Sequence, residues 1–340
     1  MSNSVSIDEI DRAIVHAVER SPRASWKTLG AAVGVDAATV ARRWMRLEDS
    51  GIAWATCYPL LTQDATSALV ELKCQTGALQ QVAATVARDP QAQFVDIVSG
   101  RSDILITAIS VGQRALARYV LARLPAIPGV QEVSTQPIIS VDFEGGYAAA
   151  GSLERSSLAL LPTPEHGRLV RSSTPVDDLD WALCVHLSRD ARQSVTALSN
   201  AIGASESTIK RRLARLTDEG TLRMMVEFAP DVAGNDTLVW LSARIPPPER
   251  RRALQEISLI PNVKAIVSTA GPDNLVVKTA LRNIAALEGF EARLTDINAS
   301  LSITDRKVVL QPIRLMSRLV NESGRATEAV SIDVRNIRAE

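Results

Sequence analysis

The chain has 340 residues, 46% of them apolar and 22% charged, with 38 basic side chains against 38 acidic ones. That length exceeds one ordinary core and calls for about two domains or more, while the balance excludes wholesale disorder. A net charge of +0 removes any global positive field, so nucleic-acid binding has to rest on a local basic face. No run of 18 uncharged apolar residues occurs, which argues against a membrane span. The segment Met1–Asp11 is polar and acidic with no apolar stretch behind it, so the expectation is a soluble cytoplasmic protein without a signal peptide. Cys57, Cys74 and Cys184 are far apart and odd in number; they fit no metal spacing and no disulfide framework, and reduced thiols are expected.

In chain order, residues 8–20 place Ile10, Ala13, Ile14, Ala17 and Val18 on one helical stripe, with acidic residues in the first turn. Ser25 is suited to cap a second short helix through Val33 that Gly34 ends. Asp36 caps a third helix to about Asp49, and Gly51 stops it. Two short helices joined by a tight Gly-containing turn, behind a supporting first helix, predict a helix-turn-helix domain over 1–55. The period then changes to two at Ala68, Val70 and Leu72. A helix at about 77–88, strands at 92–99 and 103–110, a helix at 112–124 and a strand at 131–142 follow. This βαββαβ order predicts a ferredoxin-like sandwich over 62–143. Residues 144–174 are rich in Gly, Ala, Ser and Pro and read as a linker.

The pattern then starts again. Residues 8–52 align without a gap onto 177–221, with 16 of 45 positions identical, among them Asp8/Asp177, Asp11/Asp180, Arg23/Arg192, Arg43/Arg212 and Gly51/Gly220. A second helix-turn-helix domain is therefore expected over 175–224. A second sandwich is expected over 231–316, with helices at 248–258 and 282–294 and strands at 263–269, 274–281 and 299–310. The tail, 317–340, is polar and expected to be loosely held. The fold class is α+β: two winged or three-helix helix-turn-helix domains, each followed by a βαββαβ sandwich.

In a helix-turn-helix the second helix of the pair enters the major groove, its N-terminal side chains meeting bases and its flanking cations meeting phosphate. In the second copy Ser205, Ser207 and Thr208 open that helix, followed by Lys210, Arg211, Arg212 and Arg215; residues 205–223 carry five cations against three anions, net +2. The first copy offers Thr39, Arg42, Arg43 and Arg46, with net zero over 36–54 and a thin opening of Asp36-Ala37-Ala38. The second copy is expected to contribute more affinity. The competing reading of the arginines is a helix face paired with nearby carboxylates. Trp44 and Trp26 read as packed, not DNA-stacking.

These motifs together resemble the Lrp/AsnC family of regulators. They comprise Asp8-Glu9-Ile10-Asp11, Arg23-Ala24-Ser25, Leu29 to Val35, Thr39-Val40-Ala41-Arg42-Arg43 and Arg46-Leu47 to Gly51, all repeated in the copy. The family's sensing (RAM) domain is a βαββαβ sandwich with a Gly-x-x-Asp loop, seen here as Gly100-Arg101-Ser102-Asp103, and a Pro-Gly-Val segment, seen as Pro128-Gly129-Val130 before Thr135. The second half departs, reading Gly271-Pro272-Asp273-Asn274 and lacking Pro-Gly-Val before Thr304. The resemblance covers roughly the two modules and two sandwiches and implies a fused pair. It implies double-stranded DNA as partner, a small effector such as an amino acid at Gly100, Ser102, Asp103 and Thr135 and at Gly271, Asp273, Asn274 and Thr304, and no cofactor or metal. It also implies a homo-oligomer, a dimer or tetramer of pseudo-dimeric chains. A zwitterion needs an acceptor for its ammonium and backbone donors for its carboxylate, which a Gly turn with an Asp supplies; the same residues also fit a plain β-turn in which Asp caps the loop. The two halves are expected to pack their sheets face to face, with effector binding biasing the relative orientation of the two DNA-binding modules.

Two alternatives share this architecture. Siroheme decarboxylases resemble the family and use histidines around the sensing loop, but here that loop has none: His16 and His186 lie on first helices and His166 in the linker. No nucleophile pair, HExxH or phosphate loop occurs, so the reading is of a non-enzyme. The other alternative is a ligand-binding protein with degenerate helix-turn-helix modules.

Overall fold

Aspartates open the first helix of each module. Asp8 caps α1 (Glu9–Arg20) by accepting from the Asp11 N–H at 2.9 Å, and the Asp11 carboxylate accepts from the Asp8 N–H at 3.1 Å. Ser25 caps α2 (Trp26–Val33), which Gly34 ends at φ +82°, and Asp36 caps α3 (Ala37–Asp49). Each satisfies orphan N–H groups at a helix start, as the spacing predicts. After β1 (Ala53–Cys57) come β2 (Ala65–Cys74), α4 (Leu79–Val86), β3 (Ala92–Val98) and β4 (Ile104–Val111). Then follow α5 (Gln113–Arg118), continued by a π-helical turn to Arg123, and β5 (Val130–Glu144). The computed structural model describes residues 7–58, 64–145, 152–162, 175–234 and 237–335, so most of the expected linker, His166 included, lies outside the described residues. Within it, α6 (Arg155–Leu158) lies against α2, and Leu161 is buried.

The second module repeats the first through α7 (Asp178–Arg189), α8 (Val195–Ile202), α9 (Glu206–Asp218) and β6 (Met224–Phe228), with the same capping box at Asp177 and Asp180. After α10 (Pro230–Ala233) come β7 (Thr237–Arg244), α11 (Pro247–Ile257), β8 (Val263–Thr269), β9 (Leu275–Leu281), α12 (Ala286–Ile297) and β10 (Ser302–Leu315). The chain ends through β11 (Arg318–Val320) and β12 (Ala326–Ala329).

The chain divides into two units, residues 1–62, 146–233 and 325–329 in one and 63–145, 234–324 and 330–340 in the other. Both helix-turn-helix modules thus share a unit, and both sandwiches share the other. In the first unit the strands after the modules do not form separate wings. β1 pairs antiparallel with β6, Ala53 opposite Phe228 and Cys57 opposite Met224. The repeated arginine of each module reaches into the other: Arg23 donates to Ala191 O at 2.6 Å and Gln193 O at 3.0 Å, and Arg192 donates to Pro22 O and to Ala24 O. The Arg192 guanidinium lies 3.7 Å from the Trp26 ring centroid, and its burial pushes its pKa down to about 10. Cys57 and Cys184, distant in sequence, bring their Sγ atoms to 3.9 Å in this core as free thiols.

In the second unit the strand order runs β10-β3-β4-β2-β5-β8-β9-β7, and β10 also pairs with β7, so the strands close into a ring. The expected face-to-face packing is present, with an added edge-to-edge closure. It arises because β5 and β10 are 15 and 14 residues long and run on past their own sheets. Outside the ring, Val70, Leu72, Ile104 and Ile106 pack under Val82 and Val86 of α4, and Leu241, Ile266 and Val277 pack under Ile257 and Leu294. Inside it, Leu69, Val98, Leu105 and Ile138 meet Trp240, Val267 and Val276. Burial of each such aliphatic side chain contributes about 1.5–3 kcal/mol.

Over its described residues, 317–335, the tail is held and not loose. Arg314, fully buried, donates to Ala87 O at 3.0 Å, Asp89 O at 2.6 Å, Met316 O at 2.6 Å and Ser331 O at 2.9 Å, and Ile332 and Val334 are buried beyond it. Composition alone read the tail as polar, and missed that backbone carbonyls satisfy its guanidinium anchor.

Candidate nucleic-acid interface and sensing loops

α3 and α9 bury Val40, Trp44 and Leu47, and Ile209, Leu213 and Leu216, on the face that meets the first helices. Helical spacing puts Arg43, Arg46, Arg212 and Arg215 at the edge of that face, and the structure pairs all four with the aspartates that open the first helix of their module. Arg43 Nη1 lies 2.7 Å from Asp8 Oδ2 and 3.0 Å from Asp11 Oδ1, and Arg46 Nη2 lies 2.5 Å from Asp11 Oδ2. The copy repeats this: Arg212 lies 2.7 Å from Asp177 and 3.1 Å from Asp180, and Arg215 lies 2.5 Å from Asp180. Asp11 and Asp180 are at most 1% exposed, so their bonds are internal to each module, while Asp8, Asp177 and Arg46 keep side chains 53%, 51% and 45% exposed. The hydrogen bond from Arg43 holds the Asp8 carboxyl below its ordinary value. At Arg212 burial works against the charge, but the bond to Asp177 and the charge of Asp180 outweigh it and raise the pKa.

The solvent side of each helix is different. α3 presents Arg42 and the apolar Met45, which is 54% exposed. α9 presents Ser207, Lys210 and Arg211, with Lys210 3.6 Å from Glu206 along the helix. Thr39 donates its N–H and hydroxyl to Asp36, and Ser205 accepts the Thr208 N–H at 3.2 Å, so these residues also close the helix starts.

In the first sensing loop Gly100 takes φ +110°, and Asp103 Oδ2 accepts the Cys74 N–H at 2.8 Å. The Asp103 carboxylate therefore caps the end of β2. Ser102 is buried, and Ser99 exchanges hydrogen bonds with Val308 of β10, at 2.8 Å and 3.0 Å. In the second loop the Asn274 amide brackets Ile245 with bonds of 3.0 Å and 2.8 Å, while Asp273 O accepts from Gln136 Nε2 at 2.7 Å and from Thr269 at 2.9 Å. A Cβ at Gly271 would lie 3.1 Å from the Gln136 side chain. Thr304 donates to Ser242 O at 3.0 Å, and Thr135 is exposed on β5 opposite Val70. Each loop thus meets the long last strand of the other sandwich. Gln136, beside Thr135, was missed from sequence because the pattern holds no sign of that crossover. Among the described residues no group of three or more His, Cys, Asp or Glu can hold a metal ion, and no helix is long and apolar enough to cross a membrane.

Comparison with known proteins matches the AsnC-type helix-turn-helix domain at residues 7–48 and 176–217, and the Lrp/AsnC ligand binding domain at 67–145. An uncharacterized HTH-type transcriptional regulator of Pyrococcus horikoshii is 27% identical over 150 residues, covering 43% of this chain and 94% of that protein. The HTH-type transcriptional regulator AldR of Mycolicibacterium smegmatis is 25% identical over 170 residues, 49% of this chain and 99% of that one. Relatives of this kind are one module long. The siroheme decarboxylase NirDL, solved with an iron-uroporphyrin III analogue, spans both: TM-score 0.59 over 91% of this chain and 93% of that chain, at 14% identity, a likeness of fold. Two AsnC-type modules, a matched sensing domain and a second sandwich of the same element order make this chain a member of the Lrp/AsnC family in tandem form.

Proposed function

We propose that the chain is a sequence-specific, double-stranded-DNA-binding transcription regulator responsive to a small metabolite of the amino-acid class. The observation that carries the reading is the presentation of Ser207, Lys210 and Arg211 on the outer face of α9, in a module whose core arginines are already paired inward. Base and phosphate contacts then fall to Arg211, Lys210 and Ser207, with Arg42 as the counterpart on α3. Arg211→Ala is expected to weaken binding in a mobility-shift titration and to lower the log-salt slope by about 0.9. Arg212→Ala, by contrast, leaves the buried Asp180 with one cation fewer and is expected to destabilise the fold by about 1–3 kcal/mol. Equal effects of the two substitutions on DNA affinity, at unchanged stability, would sink this assignment.

The effector is proposed to bind where each sensing loop meets the other sandwich's last strand, with Gly100 beside Arg306 of β10 and Gly271 and Asp273 beside Gln136 of β5. An amino acid at 100 times its Kd is expected to stabilise the protein by about 2.7 kcal/mol, visible as a thermal shift. A flat response across amino acids and related metabolites counts against this class. Turning one module against the other on binding would require breaking the β1–β6 ladder and the Arg23 and Arg192 bonds, so the regulated body is proposed to be the module pair as a whole. We also infer a non-enzymatic role. His16 and His186 sit on the helices α1 and α7 and not in the loops themselves, and turnover of a tetrapyrrole by the purified chain would reverse that inference.

A further inference from the structure

The two sandwiches share an element order, yet their inner faces are not equivalent. Pairing registers define which positions correspond. Leu69 stands opposite Thr107 and Gln136 on its neighbouring strands, and Trp240 stands opposite Lys278 and Lys307. Glu71 stands opposite Leu105, itself opposite Asp96; Ser242 stands opposite Val276, itself opposite Val267. So Glu71 and Asp96 of the first half have Ser242 and Val267 as counterparts, and Lys278 and Lys307 of the second half have Thr107 and Gln136. The first inner face is acidic and the second basic at these positions.

The charges meet across the closed sheet. Lys278 Nζ lies 3.3 Å from Asp96 Oδ2, with both side chains at most 4% exposed. The same oxygen accepts from Trp240 Nε1 at 3.0 Å, and the ammonium lies 4.7 Å from the Trp240 ring centroid and 5.1 Å from that of Phe94. Lys307 Nζ lies 3.2 Å from Glu71 Oε1 and also bonds Asp305 on its own strand. Around them, Leu69, Leu105, Val267 and Val276 form an apolar patch that is non-directional and accepts any similar face.

We propose that this charged patch selects the partner of each sandwich: a first half closes the ring with a second half, in the same chain or a second copy, and rejects a copy of itself. Two first halves would bury Glu71 and Asp96 twice over with no ammonium group opposite. Two second halves would bring together two Lys278 and two Lys307, with Asp305 as their nearby anion. An uncompensated buried charge is far less tolerable than a paired one, so the discrimination lies in the rejected pairings more than in the accepted one.

The test uses the full-length chain. Glu71→Lys with Asp96→Lys makes both inner faces basic, and Lys278→Asp with Lys307→Glu makes both acidic. Each two-residue variant is expected to lose cooperative unfolding or to show a urea midpoint well below the original. The chain carrying all four substitutions, which exchanges the charges and keeps them complementary, is expected to regain most of that midpoint. When the two variants are co-expressed with different tags, the basic chain is expected to capture the acidic chain and not a second tagged copy of itself. An unchanged midpoint in either two-residue variant overturns the proposal. So does a four-residue chain that stays as unstable as its parents, or equal capture of like and unlike chains.

Discussion

Arg42 and Arg43 are neighbours on α3 with opposite duties, because one helical step turns a side chain by about 100°. Arg42 faces solvent, while Arg43 closes on Asp8 and Asp11. The Asp8 carboxyl has a pKa lowered from 3.8, first by its hydrogen bond from Arg43. A carboxyl lowered by folding adds stability that is present above its unfolded value and is lost as pH falls through the folded one. Asp8→Asn is therefore expected to lower the urea midpoint at about pH 6 and to narrow the difference from the original as pH drops below about 4. A constant difference across that range would mean that the clamp does not act through the charge of Asp8. The repetition of Arg-Arg-x-x-Arg-Leu in both copies argued for DNA contact from sequence. Asp8/Asp177 and Asp11/Asp180 repeat as well, and the structure gives the shared pattern a packing cause.

At the scale of elements, Gly51 and Gly220 stop equivalent helices with φ +67° and +68°. Their surroundings differ. A Cβ at Gly51 would fall 2.2 Å from Ala326 O, where the returning chain donates the Ala326 N–H to Gly51 O at 2.8 Å, whereas nothing lies within 4 Å at Gly220. Gly220→Ala is expected to cost about 1 kcal/mol for its backbone conformation alone. Gly51→Ala adds a clash with backbone and is expected to cost clearly more, measured as the difference between the two urea midpoints. Equal costs would show that the tail gives way at no penalty. The boundaries of the module helices were readable from caps and glycines, while α4 and α12, which have no side-chain cap, were placed less closely. The partner of β1 was not, since the strand pairs with β6, about 170 residues away, in place of making a local hairpin.

At the scale of the whole molecule, the two repeated modules share one unit and present unlike outer helices. α3 offers Arg42 and Met45 to solvent where α9 offers Ser207, Lys210 and Arg211. A symmetric dimer of one-module chains would favour a palindrome; two different helices in one chain are expected to select unequal half-sites. Selection from random duplex DNA checks this, and a perfectly palindromic consensus would count against it. The same asymmetry runs through the sandwiches, where one inner face is acidic and the other basic.

By itself the sequence determined the module helices, the main strands and helices of the sandwiches and their repetition: capping aspartates and serines, αL glycines, and the switch from a period near 3.6 to a period of two are short-range signals that need no partner. It also pointed to the family, because the motifs are local as well. Only the tertiary structure decided which partner within the chain each charge meets. That Arg43 reaches Asp11, that Asp103 accepts the Cys74 N–H and that Lys278 meets Asp96 depends on which element lies opposite. Those neighbours are set by non-local packing, by β1 with β6, β5 with β8 and β10 with β3, which a pattern read along one strand or helix does not contain.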